Sequence, residues 1–444
     1  MEQSGSASTE PRLRGLRRRP IVARVRIGRV VVAVASLSLA AAVAAAGGTA
    51  IAPLPQFVCS PVVSGRDAPQ VLIASDLPVQ AFRFNATTVR MEAAMRFVLA
   101  RHAFRAGRFS VGFQACDDSN PQGQSGDLSK CAANAKLYAA DPSVIGVIGT
   151  WSSNCSAVEI PILDTAPHGP LALVSPTNTN IGLTRISAGD APGEPDRYYP
   201  AHVRNFLRLI SPDDAQGRAE ALLAARLRVG RVFVLDDRSG YGLGVGEAFR
   251  DEARKLGVSV VGTASWNPEQ KRFPAIRRAV RRSGATGVFL AGFGCPTCGE
   301  LIRELRFAIG RTGILIAPDG WSPPSGIAQA AGTAAEGAYV GIPGTSPARL
   351  SPLGREIAHR FGAYRLGSGG PAYAAEAMEV MLDAISRSDG SRASVTSALF
   401  ATRIENGILG SFGFDGNGDT TDNPVLIFRV RHGRGVLDRV LVAP

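Results

Sequence analysis

Residues 144–184 read VIGVIGTWSSNCSAVEIPILDTAPHGPLALVSPTNTNIGLT, and this stretch decides the architecture. An apolar run, Val144 to Ile148, is entered through Pro142 and ended by Gly149, the pattern of a buried parallel strand. A loop of small hydroxyl residues follows (Thr150, Ser152, Ser153, Ser156), then a helix-length segment ending near Thr165. A second run, Leu171 to Val174, breaks at Ser175-Pro176-Thr177-Asn178-Thr179. Two neighbouring strand ends thus deliver hydroxyls and free backbone N–H groups at the carboxyl edge of a parallel sheet, where open α/β sheets take their ligands. A carboxylate is well held there by helix N-terminal amides and Ser or Thr donors. The pattern suits a small anionic or zwitterionic molecule.

Working outward, the periodicity predicts a strand over 71–74 followed by a loop at Ser75-Asp76-Leu77-Pro78. A helix is expected over 88–105, a strand over 108–115 and a second helix over 131–140. Residues 186–202, rich in Pro, Gly and acids, read as a surface loop. At Ser211-Pro212-Asp213-Asp214 a helix is expected, with Ser211 as cap, Pro212 in the first position and Asp214 reaching back. Strands over 232–235, 258–261, 287–291 and 314–317 then alternate with helices over 246–256, 274–282 and 300–309. That alternation argues for α/β architecture and parallel sheets. Helices over 351–364 and 374–386 come next, and Phe412-Gly413-Phe414-Asp415 is expected to open a last hairpin with 424–430 and 434–442.

The chain has 444 residues, enough for two domains. Its net charge of +12 is uneven. Residues 1–29 hold eight Arg and two Glu, half of the excess, and no basic stripe with interleaved aromatics marks a nucleic-acid face. No charged residue stands between Arg29 and Arg66, and 30–46 is an apolar run extended by small residues to Ala52. An Arg-rich flank, an apolar core and the exit Ala44-Ala45-Ala46 make an export signal, or a signal anchor if it is retained. Cys59 is a candidate for lipidation, although Gln56-Phe57-Val58 departs from the small residues such sites use.

Five elements in order carry a resemblance to the exported substrate-binding proteins of amino-acid ABC transporters, the branched-chain (Leu/Ile/Val) type. They are Ile148-Gly149 with Ser156, Pro161, Ser175-Pro176, Thr179 and Leu183-Thr184; Phe206-Leu207-Arg208 with Gln216-Gly217; Tyr241-Gly242; Asp319-Gly320; and Phe414-Asp415 with its turn. The resemblance covers roughly residues 70–430. It implies the type I periplasmic binding protein fold: two doubly wound parallel-sheet lobes joined by a three-crossover hinge. The expected division is a basic tail and signal over 1–52, a linker over 53–68, lobe 1 over 69–209 and 342–408, and lobe 2 over 210–341 and 409–444. By the family's spacing, Ser156, Thr177 and Thr179 contact the ligand's carboxylate and ammonium. Asp319 faces the ammonium, while Tyr241 and Phe293 line the second lobe's side. The implied ligand is an amino acid, aliphatic by the family's habit, passed to a transporter permease. A sensor ectodomain on a retained N-terminal helix is the rival within the same fold.

Export favours disulfides. The resemblance implies Cys131–Cys155, leaving Cys116 with Cys131 and Cys59 as competing partners. Cys295-Pro296-Thr297-Cys298 has the strand-to-helix placement of a thiol oxidoreductase motif, the rival of another class, and reads better as a bridge bordering the cleft. No second ligand pair makes it a zinc site. Gly240, Gly242, Gly244 and Gly246 lack the acid that a dinucleotide site needs after the next strand, and read as turn glycines. Asp415 to Asp419 lacks the Gly and Glu of a calcium loop. No hydrolase signature and no cofactor motif is present.

Overall fold

The computed structural model describes residues 51–80, 85–119, 126–362, 367 and 369–443. The basic tail and most of the stretch read above as an export signal, residues 1–50, lie outside these. Among the described residues no helix is long and apolar enough to cross a membrane.

The first series runs β1 (Val71–Leu77), α1 (Asn85–Arg101), β2 (Arg105–Ala106), β3 (Phe109–Asp117), α2 (Leu128–Ala140), β4 (Val144–Gly149), α3 (Ser153–Asp164), β5 (Leu173–Ser175) and β6 (Phe206–Arg208). The second runs α4 (Asp213–Arg226), β7 (Arg231–Asp236), α5 (Gly240–Lys255), β8 (Ser259–Ser265), α6 (Pro274–Ser283), β9 (Gly287–Ala291), α7 (Cys298–Ile309), β10 (Ile314–Ala317), α8 (Pro324–Ala331) and β11 (Tyr339–Pro343). The chain then gives α9 (Pro352–Phe361), α10 (Pro371–Ser386), α11 (Arg392–Phe400), β12 (Arg403–Ile404), β13 (Phe412–Gly413), β14 (Pro424–Arg431) and β15 (Arg434–Val442).

The sheets are ordered β2-β3-β1-β4-β5-β6 and β15-β14-β11-β10-β9-β7-β8. Without their antiparallel edges, both have the doubly wound order 2-1-3-4-5, whose switch point falls at β1/β4 in one and β7/β9 in the other. Strands buried on both faces explain the unbroken apolar runs of β4 and β9. α1 and α10 share the first sheet's core through Met91, Met95, Met378 and Met381. The chain crosses between sheets three times, and two crossings meet on the third: Ser211 Oγ and Gly344 N–H both donate to Pro424 O, each at 3.0 Å.

Several local expectations are corrected. β1 continues through Ser75, Asp76 and Leu77, because Asp76 is buried within the sheet beside Asn134 rather than turned to solvent. α4 starts at Asp213 with Pro212 in the cap position and no side-chain cap, since Ser211 is used at the crossing. α5 starts at Gly240, so the four glycines lie in its first turns. A Cβ on Gly242 would overlap Asp237 Oδ1 and lie 2.7 Å from Ala291 O, so close packing and not a turn explains that residue. Phe412 and Phe414 pack in the first sheet's core, β13 pairs with β12, and the last hairpin is β14/β15. The third crossing therefore comes after Phe414, not at 409.

Three bridges join the six cysteines: Cys131–Cys155, Cys295–Cys298 and Cys59–Cys116. The last settles the partner of Cys116 and leaves the Cys59 sulfur none of the valence that a lipid thioether needs.

Candidate functional site

A cleft of about 600 Å³ opens between the carboxyl edges of the two sheets. The first sheet contributes the loop after β4 and the start of α3 (Ser152, Ser153, Asn154), then Thr179, Asn180 and Ile181. The second contributes Asp213, the Ser239–Tyr241 entry to α5, Phe293 after β9, and Asp319-Gly320 after β10. Of these, the loops after β4, β7 and β9 flank the two topological switch points.

On the first side, hydroxyls mostly build the wall instead of facing the cleft. Ser175 Oγ accepts from Thr177 N–H (3.2 Å) and Asn178 N–H (3.0 Å). Thr177 Oγ1 donates to Thr150 O and Trp151 O, each at 3.0 Å, and Asn178 Nδ2 reaches the same carbonyls at 2.9 and 3.1 Å. The two strand-end loops are thereby stitched together. Arg208, wholly buried, holds the second loop from behind: Nη1 donates to Asn180 O (2.7 Å) while Nε pairs with Asp419 at 2.6 Å. Ser152 caps α3, accepting from Asn154 N–H at 3.3 Å.

On the second side, Asp237 sets the geometry. Its Oδ1 accepts from Ser239 Oγ at 2.5 Å and its Oδ2 from Phe293 N–H at 2.8 Å, fixing the α5 entry against the loop after β9. Tyr241 and Phe293 consequently pack ring against ring, tilted by 33° with 4.6 Å between ring centres. Tyr241 Oη donates to Asp319 Oδ1 at 2.5 Å. Burial pushes the Asp319 carboxyl above its usual range, opposed by this phenol and by Gln216. Asp213, 4% exposed, is pushed up to about 8 by burial and then by the Asp319 charge, and its Oδ1 has no hydrogen-bond partner. Glu220 stands behind them, also raised by burial and by Asp319, with Gln216 Nε2 on its Oε1 at 3.3 Å. Buried carboxyls next to one another without a cation are costly unless protonated or met by a positive group.

Of the residues chosen from sequence, Thr179, Tyr241, Phe293 and Asp319 line the cleft together. Ser156 and Thr177 are not among the lining residues. Ser156 sits one turn into α3 on its inner face, fully buried, bonded to Thr150 Oγ1 at 3.1 Å. Thr177 spends its hydroxyl on the loop carbonyls. Ser152, Ser153 and Asn154 take the exposed helix start instead. Asp213 was missed because its setting, Ser-Pro-Asp-Asp before a helix, reads as capping. Its place three residues ahead of Gln216-Gly217 was the available signal. The Cys295–Cys298 bridge borders a separate groove with Trp321 and Ile327, and Cys298 is 2% exposed.

A family model described as "Periplasmic binding protein" matches residues 131–435. An amino acid binding protein of Pseudomonas aeruginosa is 26% identical over 235 residues, 53% of this chain and 57% of that one. The Leu/Ile/Val-binding protein homolog 2 of Brucella abortus is 24% identical over 292 residues, 65% of this chain and 72% of its own length. The chain thus spans a little over half of the first relative. Among solved structures, the leucine binding protein of Thermotoga maritima superposes with a TM-score of 0.61 at 23% identity, covering 84% of this chain and 98% of that one. An ABC transporter substrate-binding protein of Desulfitobacterium hafniense in complex with Leu gives 0.63 at 21%, covering 83% and 99%. A solute binding protein of R. palustris in complex with 4-hydroxybenzoate gives 0.60 at 14%, covering 84% and 96%. At these identities the likeness is one of fold.

Proposed function

Because the chain belongs to the periplasmic binding protein family, whose type I fold it has, we propose that it is an extracytoplasmic receptor that captures an α-amino acid between its lobes and delivers it to an ABC transporter permease. The family and fold are those of solute-binding proteins rather than enzymes. The observation that carries the reading is the polarity of the cleft. Asp213, Asp319 and the Tyr241 hydroxyl come from the second sheet's side of the cleft, and the N-terminus of α3 with Ser152 and Ser153 comes from the first.

That arrangement suits a zwitterion. The ammonium pairs with Asp319 and Asp213, giving the unpartnered Asp213 oxygen a donor, while the carboxylate lies at the α3 amides and the serine hydroxyls. Closing the lobes excludes water and strengthens both contacts. A simple aromatic acid such as benzoate lacks the positive group and meets the acids unpaired. The closed pair then offers a permease a surface that open lobes lack.

Calorimetry with an amino acid and its deaminated analogue tests the reading. The expected result is measurable binding of the amino acid and none of the analogue at the same concentrations. Preference for the deaminated acid would overturn it.

A further inference from the structure

Residues 186–202 are absent from the elements that carry the family resemblance, and the structure gives them a place. The segment leaves the first sheet's side and lies on the start of α5 in the second. Ala188 N–H donates to Glu247 Oε2 at 3.0 Å. A Cβ on Gly189 would overlap Gly240 O, so the two backbones touch directly. The segment straps the cleft, and Ser187, Gly189, Asp190 and Glu194 form part of its wall.

Two of those residues are carboxylates, and they converge. A Cβ on Gly182 would overlap Glu194 Oε2 and lie 3.0 Å from Asp190 Oδ1. Their existing partners are local: Asp190 accepts from the Ser187 hydroxyl at 2.6 Å and from Ser187 N–H, and Glu194 Oε2 from Ala191 N–H at 3.0 Å. Arg197 pairs with the other oxygen of Glu194, Oε1, at 3.1 Å, alongside the Tyr198 hydroxyl. Among the described residues no ion pair reaches Asp190. Asp213 lines the same cleft, nine-tenths buried and more, with one oxygen unpartnered. The cleft wall therefore carries four acids and neither Lys nor Arg. Its apolar members are Ile181, Tyr241 and Phe293, a thin lining for an aliphatic side chain.

One ammonium answers the Asp213–Asp319 end and leaves the strap's two acids on the cleft wall without a ligand charge to meet. We propose that the ligand is a basic α-amino acid, its side-chain cation lodged at Asp190 and Glu194 while its α-ammonium meets Asp213 and Asp319. The proposal rests on the amino-acid reading above and departs only from the aliphatic side chain that the resemblance implies. Charge complementarity at both ends supplies selectivity against neutral side chains, which bring no cation to Asp190, a carboxylate that no ion pair reaches among the described residues.

The test is calorimetry of the protein with lysine, ornithine and leucine. Wild type should bind lysine or ornithine about tenfold or more tighter than leucine. The double variant Asp190→Asn/Glu194→Gln should lower lysine and ornithine affinity about tenfold and so erase that preference. Asp190→Asn alone, which keeps the Glu194–Arg197 pair and so the strap's own staple, should lower it in part. If wild type prefers leucine, and Asp319→Ala weakens that binding, the amino-acid reading stands and the side-chain assignment falls. If no amino acid binds at millimolar concentration, both fall.

Discussion

Each lobe buries three carboxyls beside a tyrosine, and the two groups differ in what can reach them. In the first, Asp76, Asp118 and Glu159 gather near Tyr138, next to the Cys131–Cys155 bridge. Burial is the leading cause that pushes Asp76 to about 6, Asp118 to about 8 and Glu159 well up. Asn134 Nδ2 donates to Asp76 at 3.0 Å, while the nearby Lys130 pairs with Asp117 at 2.5 Å instead. None of the three lines the cleft. In the second lobe Asp213, Glu220 and Asp319 surround Tyr241 in the same way, but Asp213 and Asp319 face the cleft. A closed group can lower its charge only by holding protons; an open one can take a cation from outside. Access, more than local chemistry, separates a structural cluster from a binding one.

The largest expected effect comes from removing an acid on the open side. With an amino acid bound, Asp319→Ala leaves the ammonium facing fewer charges in a closed cleft. The loss expected is about 3–5 kcal/mol, roughly a hundredfold to a few thousandfold in affinity. Asp118→Asn, made in the closed group, should leave affinity unchanged. Equal loss in both variants, read by calorimetry, would erase the distinction.

Proton bookkeeping separates the groups next. Asp118 has an ordinary pKa of 3.8 and is pushed to about 8 in the folded chain. The folded state then holds a proton that the unfolded state has released, so this contribution is intact below about pH 4 and is lost as pH rises through about 8. At neutral pH the penalty is at most about 4 kcal/mol, and Asp118→Asn should flatten the thermal stability curve across that window. Ligand should not change the Asp118 effect. Asp213, also about 8 when the cleft is empty, should instead lose its proton on meeting an ammonium. Binding near pH 7 should therefore release up to about one proton, seen as a binding enthalpy that varies with buffer, and Asp213→Asn should abolish the release.

The bridges extend the contrast between lobes. Cys131–Cys155 spans 24 residues and anchors α3 to α2, whereas Cys295–Cys298 spans 3. Chain entropy gives about 3.5 kcal/mol for the longer loop and about 2 kcal/mol for the shorter. Cys155→Ser should lower the melting temperature more than Cys298→Ser. The reverse order would mean that local packing outweighs loop closure.

What the sequence made legible follows the same division between local and remote causes. β9 and β10 match their expected limits to the residue, because short apolar runs bounded by Gly and Pro state their ends locally. The start of α5 was not legible. Glycines disfavour a helix by propensity, and only the approach of Asp237 and Ala291 explains Gly242. Asp319 and Tyr241 were found through the family's order of motifs, and the 2.5 Å bond between them is not visible in either motif alone. The strap's position depends on Gly189 meeting Gly240, a contact between residues far apart in the sequence that no periodicity announces.

The smallest effect tests the register of one helix. Counting back from Pro176 to Cys155 places Ser156 at the ligand, but the count is anchored on the cysteine rather than on Gly149, where β4 ends. Three further residues separate the strand end from α3, which begins at Ser153, so Ser156 has turned to the inner face and bonds Thr150. Ser153 holds the cleft position and its hydroxyl also accepts from Asn180 N–H at 3.4 Å, a long contact it can give up to a ligand. Ser153→Ala should cost about 0.5–1.5 kcal/mol of affinity, roughly twofold to tenfold, since backbone donors stay in place. Ser156→Ala should leave affinity within about twofold and lower stability by about 1 kcal/mol through the lost bond to Thr150. Calorimetry and thermal melts on both variants decide between them. An affinity loss confined to Ser156→Ala would restore the cysteine-anchored register and move the carboxylate's seat one turn along α3.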